Sequence, residues 1–189
     1  MAAFQPITGR GEQSFRHDPR MRQALARLPR PDHDLSQAGP ACTSLYWLLR
    51  SRRPRLAALS GRPTQADQLI IACALADCGA RLVIDPSHAA EARADLSAAG
   101  LDWILRSGAC LPCLRQLGAY DCLILAPGHD GLERWLVQLA PDAMRLGLCR
   151  TAAERRSLSQ RMLAADLAEE LAELRDGSRQ LLIADGGAR

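Results

Sequence analysis

Two cysteines form the pair in this sequence whose spacing is typical of a chemical site. Cys110-Leu-Pro-Cys113 has the two-residue separation of a redox dithiol, which requires a thiol pKa lowered by its surroundings, for example at a helix N-terminus. The same pair could supply half of a zinc site, but the other ligands would have to come from Cys122 and a distant histidine. A thiol or metal function at Cys110 and Cys113 is therefore one hypothesis.

Polar residues that directly follow apolar runs are a second group of candidates. Ser60–Thr64 and Asp85 each come after a short apolar run, as expected of strands that are covered on both faces. Ligands of parallel α/β sheets bind at the carboxyl ends of the strands, so both segments are candidate binding sites. His129 follows a third apolar run and is either a general base or a hydrogen-bonded turn residue.

The elements that must position these residues begin with a strand, a helix and a strand between Arg55 and Ser87. Thr64 and Asp67 have the spacing of a helix N-cap and its capping-box partner, and Gly79 supplies the C-terminal stop. The helix between them has a buried face at three-and-four spacing, formed by Ala66, Leu69, Ile70, Cys73 and Ala74. This unit predicts two parallel strands joined by a right-handed crossover.

Strands and helices continue to alternate along the chain. The predicted strands are Leu56–Leu59, Arg81–Ile84, Trp103–Leu105, Cys122–Ala126, Arg145–Cys149 and Gln180–Ala184. The predicted helices are Ala41–Arg50, His88–Ala99 capped by Ser87, one opened by Asp130 with Leu132, Trp135, Leu136 and Leu139 buried, and a long one from Thr151 to about Arg175. We therefore predict an α/β fold, with a doubly wound, mainly parallel sheet of about six strands and helices on both faces. The residues expected in its core include Ile70, Ile84, Leu123, Leu125, Trp135 and Leu136.

The charge is distributed unevenly between an N-terminal arm and the rest of the chain. Residues 1–62 carry eleven arginines against four acidic residues, whereas residues 63–189 carry thirteen arginines against seventeen acidic residues. We expect residues 1–40 to be a basic, loosely packed arm or cap and residues 41–189 to be one α/β domain. A basic arm suits an acidic partner, or is simply a solvated segment.

Several classes of partner and compartment are disfavoured. Nucleic-acid binding is not expected, because the sequence has no recognised module or aromatic platform. No apolar run approaches the roughly 18 residues that span a bilayer, so no transmembrane segment is expected. The odd total of seven cysteines and the lack of a signal-like apolar N-terminus favour a cytoplasmic location.

Four phrases, taken in order, resemble a known family. Leu45–Arg55 (LYWLLRSRRPR) is similar to its leading helix, and Arg81–Gly100 (RLVIDPSHAAEARADLSAAG) to its second strand, the acidic end of that strand and an Ala-rich helix. Tyr120–His129 (YDCLILAPGH) is similar to its fourth strand and a His-bearing turn, and the terminal LLIADGG to its last strand. From about Gly39 to Arg189 the chain resembles the class I S-adenosylmethionine-dependent methyltransferases of the small-molecule O-methyltransferase type. The resemblance implies a Rossmann-like fold.

The resemblance also implies a cofactor site. Its residues would be Ser60, Gly61, Thr64, Asp85 and Gly108, with Asp85 at the position of the ribose-binding carboxylate and Gly108 in the stretch near the adenine. His129 would be the catalytic base.

The sequence also departs from the family pattern at several of these positions. Ala58 stands at the usual acidic position, and Ser60, Arg62 and Thr64 stand where the family has glycines, with Gly61 one place off. Arg62 would bring a cation to the place where the sulfonium should rest. Ala126 stands at the position of a magnesium carboxylate, so no metal site is expected.

Three hypotheses follow. In the first, the domain keeps a methyltransferase-like fold but has a degenerate cofactor site, binds no cofactor and serves as a binding, scaffolding or regulatory partner of another protein. In the second, it is an active S-adenosylmethionine-dependent O-methyltransferase with an unusual loop, and it acts on a small-molecule acceptor. The third is the thiol or metal function at Cys110 and Cys113.

Overall fold

A computed structural model describes residues 40–106, 118–129, 132–164, 172–176 and 179–184, together with positions 19 and 23. Several predictions from the sequence lie outside these ranges. They concern nearly all of the N-terminal arm, Gly108, Asp130, and the pair Cys110 and Cys113.

Helices and strands alternate through most of the described chain. The helices are α1 (Pro40–Arg52), α2 (Gln65–Cys78), α3 (Ala89–Ala98), α4 (Leu132–Leu136) and α5 (Ala152–Ala164). The strands are β1 (Leu56–Ser60), β2 (Arg81–Ile84), β3 (Leu105–Arg106), β4 (Tyr120–Leu125), β5 (Leu139–Cys149), β6 (Ala172–Asp176) and β7 (Arg179–Ala184).

The described strands form one sheet of seven in the order β3-β2-β1-β4-β5-β7-β6. Strands β1 to β5 run parallel, with Leu59 of β1 opposite Ile84 of β2 on one side and Ile124 of β4 on the other. Strand β7 is antiparallel to both β5 and β6. The predicted parallel neighbours β1 and β2, and the predicted α/β sheet, are confirmed.

Helices cover both faces of the sheet, as predicted. Along β1 the side chains alternate, so that Ala57 and Leu59 enter the core under α1, α2 and α3, while Leu56 and Ala58 enter the core under α4 and α5. Five of the six residues expected in the core are buried, and Leu136 is only partly buried. A sheet covered in this way explains why its strands read as apolar runs.

The predicted helix caps form. Thr64 Oγ1 accepts a hydrogen bond from the backbone N–H of Asp67 at 3.0 Å, and Gly79 ends α2 in the left-handed region at φ 70°. At the start of α5, the backbone N–H of Glu154 donates to Thr151 Oγ1 at 3.1 Å. Local side-chain chemistry therefore fixes where these helices begin and end.

Two predictions near α3 were wrong. The N-cap of α3 is His88, which makes no side-chain capping bond, whereas the Ser87 hydroxyl donates to Asp85 at 2.7 Å. The aspartate two residues earlier competes for this hydroxyl. Trp103 and Ile104 lie in a 3₁₀ turn, Asp102–Ile104, and the strand begins only at Leu105.

The prediction that the last helix extends to about Arg175 was also wrong, because residues 172–176 form strand β6. This strand pairs antiparallel with β7, with Leu174 opposite Leu181 and Asp176 opposite Arg179. Pairing with β7 outweighs the helical propensity of Ala, Glu, Leu and Arg, because propensity is a weak preference that tertiary context overrides. Leu139, predicted to lie on the preceding helix, is instead the first residue of β5.

None of the described helices has the length and apolar character that crossing a bilayer requires.

Candidate functional site

The order of the strands locates a topological switch point at the carboxyl ends of β1 and β4. These two strands are neighbours, yet α2 after β1 packs on one face of the sheet and α4 after β4 packs on the other. In doubly wound sheets ligands bind at such a switch point. The segments that leave this edge of the sheet begin at Ser60, Asp85, Ala126 and Arg150.

The loops after β1 and β4 are in direct contact at this switch point. The backbone N–H of Arg62 donates to the Pro127 carbonyl at 2.8 Å, and that of Ala126 donates to the Ser60 carbonyl at 2.8 Å. Gly61 has φ 94°, and a Cβ there would lie 2.4 Å from the Ala126 carbonyl oxygen. Glycine is required at position 61 for its conformation and for the close approach of the two loops.

Ser60 is the last residue of β1 and is completely buried, with 0% of its surface exposed. Its hydroxyl has no hydrogen-bond partner among the described residues. A buried polar group without a partner costs about 1–3 kcal/mol, and it is uncommon in folded proteins. The hydroxyl is therefore an unused donor at the edge where a ligand would bind.

Arg62 reaches across from the loop after β1 to the start of α3. Its Nε donates to Nδ1 of His88 at 3.1 Å, and the side chain is otherwise exposed. Arg150, directly after β5, donates from Nη2 to the backbone carbonyl of Arg62 at 3.3 Å. Neither guanidinium forms an ion pair with a carboxylate of the described residues. Within the described chain, both guanidinium groups therefore keep free N–H donors at this edge, beside the carboxylates of Asp85 and Glu154.

Asp85 and Thr64 use their polar atoms in local turns. Asp85 Oδ1 accepts from the backbone N–H of Ser87 at 3.0 Å and from the Ser87 hydroxyl at 2.7 Å. Thr64 Oγ1 caps α2 and also donates to Asp67 at 2.6 Å. Both residues lie at the predicted edge, and both contacts match the local structural roles that their sequence context allows.

His129 is buried, with 8% of its surface exposed, and it contacts a cation. Nδ1 lies 3.1 Å from the Ala126 carbonyl, and Nε2 lies 3.1 Å from Nη1 of Arg161 on α5. A guanidinium only donates, so Nε2 is the acceptor and Nδ1 carries the proton that Ala126 accepts. The lone pair that a general base would use is therefore already bonded.

The described residues give little support to thiol or metal chemistry. Cys73, Cys122 and Cys149 are buried, and burial raises the pKa of the Cys122 thiol, which disfavours a thiolate. No group of three or more His, Cys, Asp or Glu side chains within the described ranges is arranged to hold a metal ion. Positions 58 and 126 are alanines with completely buried methyl groups, so neither position offers a carboxylate to this edge.

Three residues at this edge, Arg150, Arg161 and His88, were not identified from the sequence. Arg150 follows β5, so the rule that selected Ser60–Thr64 and Asp85 would also have selected it. His88 occupies the N-cap position that was assigned to Ser87. Arg161 contacts His129 from a helix 32 residues away along the chain, and no local pattern indicates that pairing.

The fold is similar to that of solved O-methyltransferases. The O-methyltransferase TomG from Streptomyces achromogenes, solved in complex with S-adenosylmethionine, is 18% identical, with a TM-score of 0.56 over 90% of this chain and 91% of that chain. A putative O-methyltransferase from Klebsiella pneumoniae is 21% identical, with a TM-score of 0.55 over 96% and 92%. An O-methyltransferase from Bacillus cereus, in complex with S-adenosylhomocysteine, is 17% identical, with a TM-score of 0.53 over 97% and 93%.

No protein-family model and no curated protein matches the sequence. The structural likeness nevertheless extends over about nine-tenths of each of these three chains, and the resemblance in the sequence points the same way. The chain has the fold of the class I S-adenosylmethionine-dependent O-methyltransferases.

Proposed function

We propose that this protein uses a methyltransferase fold without methyl transfer, and that it serves as a binding, scaffolding or regulatory partner of another protein. The observation that carries the proposal is the position of Arg62. Its guanidinium has no carboxylate partner among the described residues, and it spans the loop after β1 and the start of α3. The resemblance puts the sulfonium of S-adenosylmethionine beside this loop.

The positive charge of Arg62 opposes binding of the positively charged sulfonium of the cofactor. Two unit charges 4 Å apart repel by roughly 1 kcal/mol in a fully wet site, and by more in a drier one. Because Arg62 is exposed, the low end applies, which corresponds to about a fivefold loss of affinity. The family glycines are replaced by side chains in the same loop, which removes space for the cofactor as well.

The state of His129 supports the same proposal. Methyl transfer to a hydroxyl requires a base that can accept its proton, and a histidine does so through an unprotonated ring nitrogen. Here that nitrogen accepts a hydrogen bond from Arg161. His129 could act as a base only after this contact breaks.

The alternative is an active O-methyltransferase with an unusual loop. One observation favours it: the fold matches proteins solved with S-adenosylmethionine or S-adenosylhomocysteine over nine-tenths of their length. In that alternative Asp85 would release Ser87 and accept the ribose hydroxyls. The hypothesis of a thiol or metal function at Cys110 and Cys113 is tested separately, by thiol titration and metal analysis.

Calorimetry with S-adenosylmethionine tests the proposal. We expect no binding by the full-length protein at micromolar concentrations, and no methyl transfer. Arg62→Gln should raise the cofactor affinity by about fivefold. Arg55→Gln is the matched control, because it removes the same charge at the amino end of β1, where Arg55 pairs with Asp121. Low-micromolar binding by the wild-type protein that Asp85→Ala abolishes would overturn the proposal.

A further inference from the structure

Arg62, His88 and Arg150 are held together by two hydrogen bonds at the carboxyl edge of the sheet. Arg62 donates from Nε to His88, and Arg150 donates from Nη2 to the Arg62 carbonyl. The three residues come from three different elements, namely the loop after β1, the start of α3 and the segment after β5. The fold therefore brings two guanidinium groups and an imidazole to one place.

Most hydrogen-bond donors of this cluster are unused. A guanidinium has five N–H donors in a planar fork, and the Arg62–His88 contact engages only Nε. The terminal nitrogens of Arg62 and Nη1 of Arg150 have no acceptor among the described residues. An anion bound at this place could therefore accept hydrogen bonds from these free donors.

Two carboxylates near the cluster, those of Asp85 and Glu154, are engaged in local turns, and a third, that of Glu91, is exposed in the first turn of α3. Asp85 Oδ1 accepts two bonds from Ser87, and Glu154 Oε2 accepts from the backbone N–H groups of Arg150 and Thr151. Neither carboxylate forms an ion pair with Arg62 or Arg150 within the described chain. The protein thus uses Asp85 and Glu154 to order the turns and leaves terminal guanidinium nitrogens of Arg62 and Arg150 free to bind a ligand.

The start of α3 adds backbone donors to the same place. His88 is the N-cap of this ten-residue helix and makes no side-chain capping bond. The first N–H groups of a helix and its dipole favour an anion, and the arginine fork matches the geometry of phosphate oxygens. The cluster and the helix start therefore select for the same ligand chemistry.

We propose that Arg62, His88 and Arg150 bind the phosphate group of a small molecule at the carboxyl edge of the sheet. This inference rests on the proposed function, because a loop that excludes a sulfonium cation is the loop that favours an anion. The ligand is either free phosphate or a phosphate monoester, and the two share the oxygens that the guanidinium groups recognise.

Calorimetric titrations at low salt distinguish these ligands. The probes are inorganic phosphate, adenosine 5′-monophosphate and, as the uncharged control, adenosine. We expect phosphate and the monophosphate to bind and adenosine not to bind. Arg62→Gln and Arg150→Gln should each weaken binding by about tenfold, because each removes charge-assisted hydrogen bonds. Arg55→Gln, with its charge at the opposite edge, should leave the affinity unchanged.

Asp85→Asn separates the anion site from a cofactor site by the sign of its effect. An amide keeps the turn with Ser87 and removes a negative charge one turn before His88, so phosphate should bind more tightly by a few fold. A ribose-binding carboxylate predicts the opposite, a loss of S-adenosylmethionine binding.

The outcomes for the two proposals are distinct. Equal loss of phosphate affinity in Arg55→Gln and Arg62→Gln would overturn the anion site, since it would indicate only long-range attraction. Binding of adenosine as tight as that of its monophosphate would also overturn it. Failure of phosphate to bind, with no binding of S-adenosylmethionine, contradicts this inference and leaves the proposed function standing. Tight binding of S-adenosylmethionine, with no binding of phosphate or the monophosphate, contradicts the proposed function and this inference together.

Discussion

Nη1 of Arg161 donates to Nε2 of His129 over 3.1 Å, and the same nitrogen lies 3.4 Å from the His129 carbonyl. The contact joins α5 to the loop after β4, which in turn is hydrogen-bonded to the loop after β1. A histidine that looks like a catalytic base in the sequence is therefore part of the structure that closes this edge of the sheet.

Replacing Arg161 should destabilise the fold modestly. Arg161→Ala removes a charge-assisted hydrogen bond to a buried imidazole, so we expect the free energy of unfolding to fall by about 1 kcal/mol. Arg156→Ala is the matched control, because Arg156 is exposed on the same helix and makes no contact with a described residue. Urea denaturation of both variants measures the difference. Equal stability of the two variants would mean that the contact with His129 contributes nothing.

The approach of the loops after β1 and β4 can be tested at Gly61. Gly61→Ala places a Cβ against the Ala126 and Pro127 carbonyl oxygens, and it also forces a non-glycine residue to φ 94°. Gly118→Ala has nearly the same backbone cost at φ 91° but meets no atom of a described residue within 4 Å. The conformation alone costs about 1–2 kcal/mol.

The difference between these two variants therefore isolates the steric term. We expect Gly61→Ala to lower the free energy of unfolding by about 2 kcal/mol more than Gly118→Ala, as is typical of overpacking. Chemical denaturation followed by circular dichroism is the measurement. If both variants lose the same amount, the contact between the two loops is not tight in solution.

Much of this fold follows from the local sequence. The Thr64–Asp67 and Thr151–Glu154 spacings predict where α2 and α5 begin, because a capping box acts over four residues. The apolar runs predict β1, β2 and β4, because strands covered on both faces need apolar side chains throughout. Strand β6 was missed because its pairing with β7 depends on tertiary contacts that local propensity does not report.

The candidate site was predicted less completely. Ser60, Gly61, Thr64 and Asp85 were identified because the carboxyl ends of parallel strands gather at one edge. The contact of His129 was not predictable, since its partner Arg161 comes from a helix elsewhere in the sequence. The direction of Arg62 toward His88 is likewise set by where α3 begins relative to β1.

The hydroxyl of Ser60 makes a third test. Ser60→Ala removes a buried donor that has no partner within the described chain, so we expect the free energy of unfolding to rise by about 1 kcal/mol. Ser60→Cys puts a larger sulfur with a weaker donor at the same place, so it should gain less than Ser60→Ala. Thermal and urea denaturation measure both variants. A loss of stability in both would indicate that the hydroxyl has a partner in solution, such as a ligand or an ordered water.

The two tyrosines provide the last test, because both are completely buried but differ in their hydrogen bonds. The Tyr46 hydroxyl donates to Asp77 at 2.8 Å and accepts from Arg50, whereas the Tyr120 hydroxyl has no partner among the described residues and its ring packs against Trp135. At neutral pH, Tyr46→Phe should cost about 1–3 kcal/mol because it leaves the partly buried carboxylate of Asp77 with one bond fewer. Tyr120→Phe should be neutral or stabilising.

The pH dependence of stability makes the Tyr120 prediction sharper. Burial raises the pKa of Tyr120 to about 12, above its ordinary value of 10.0, so the folded protein favours the neutral hydroxyl. The unfolded chain ionises first, and stability from this group is present below pH 10 and lost as the pH rises toward 12. The wild-type free energy of unfolding should therefore fall relative to that of Tyr120→Phe by roughly 1.4 kcal/mol per pH unit in this window. Buried thiols are common to both proteins and cancel in the comparison. Parallel pH profiles from urea denaturation would show that the Tyr120 hydroxyl reaches water.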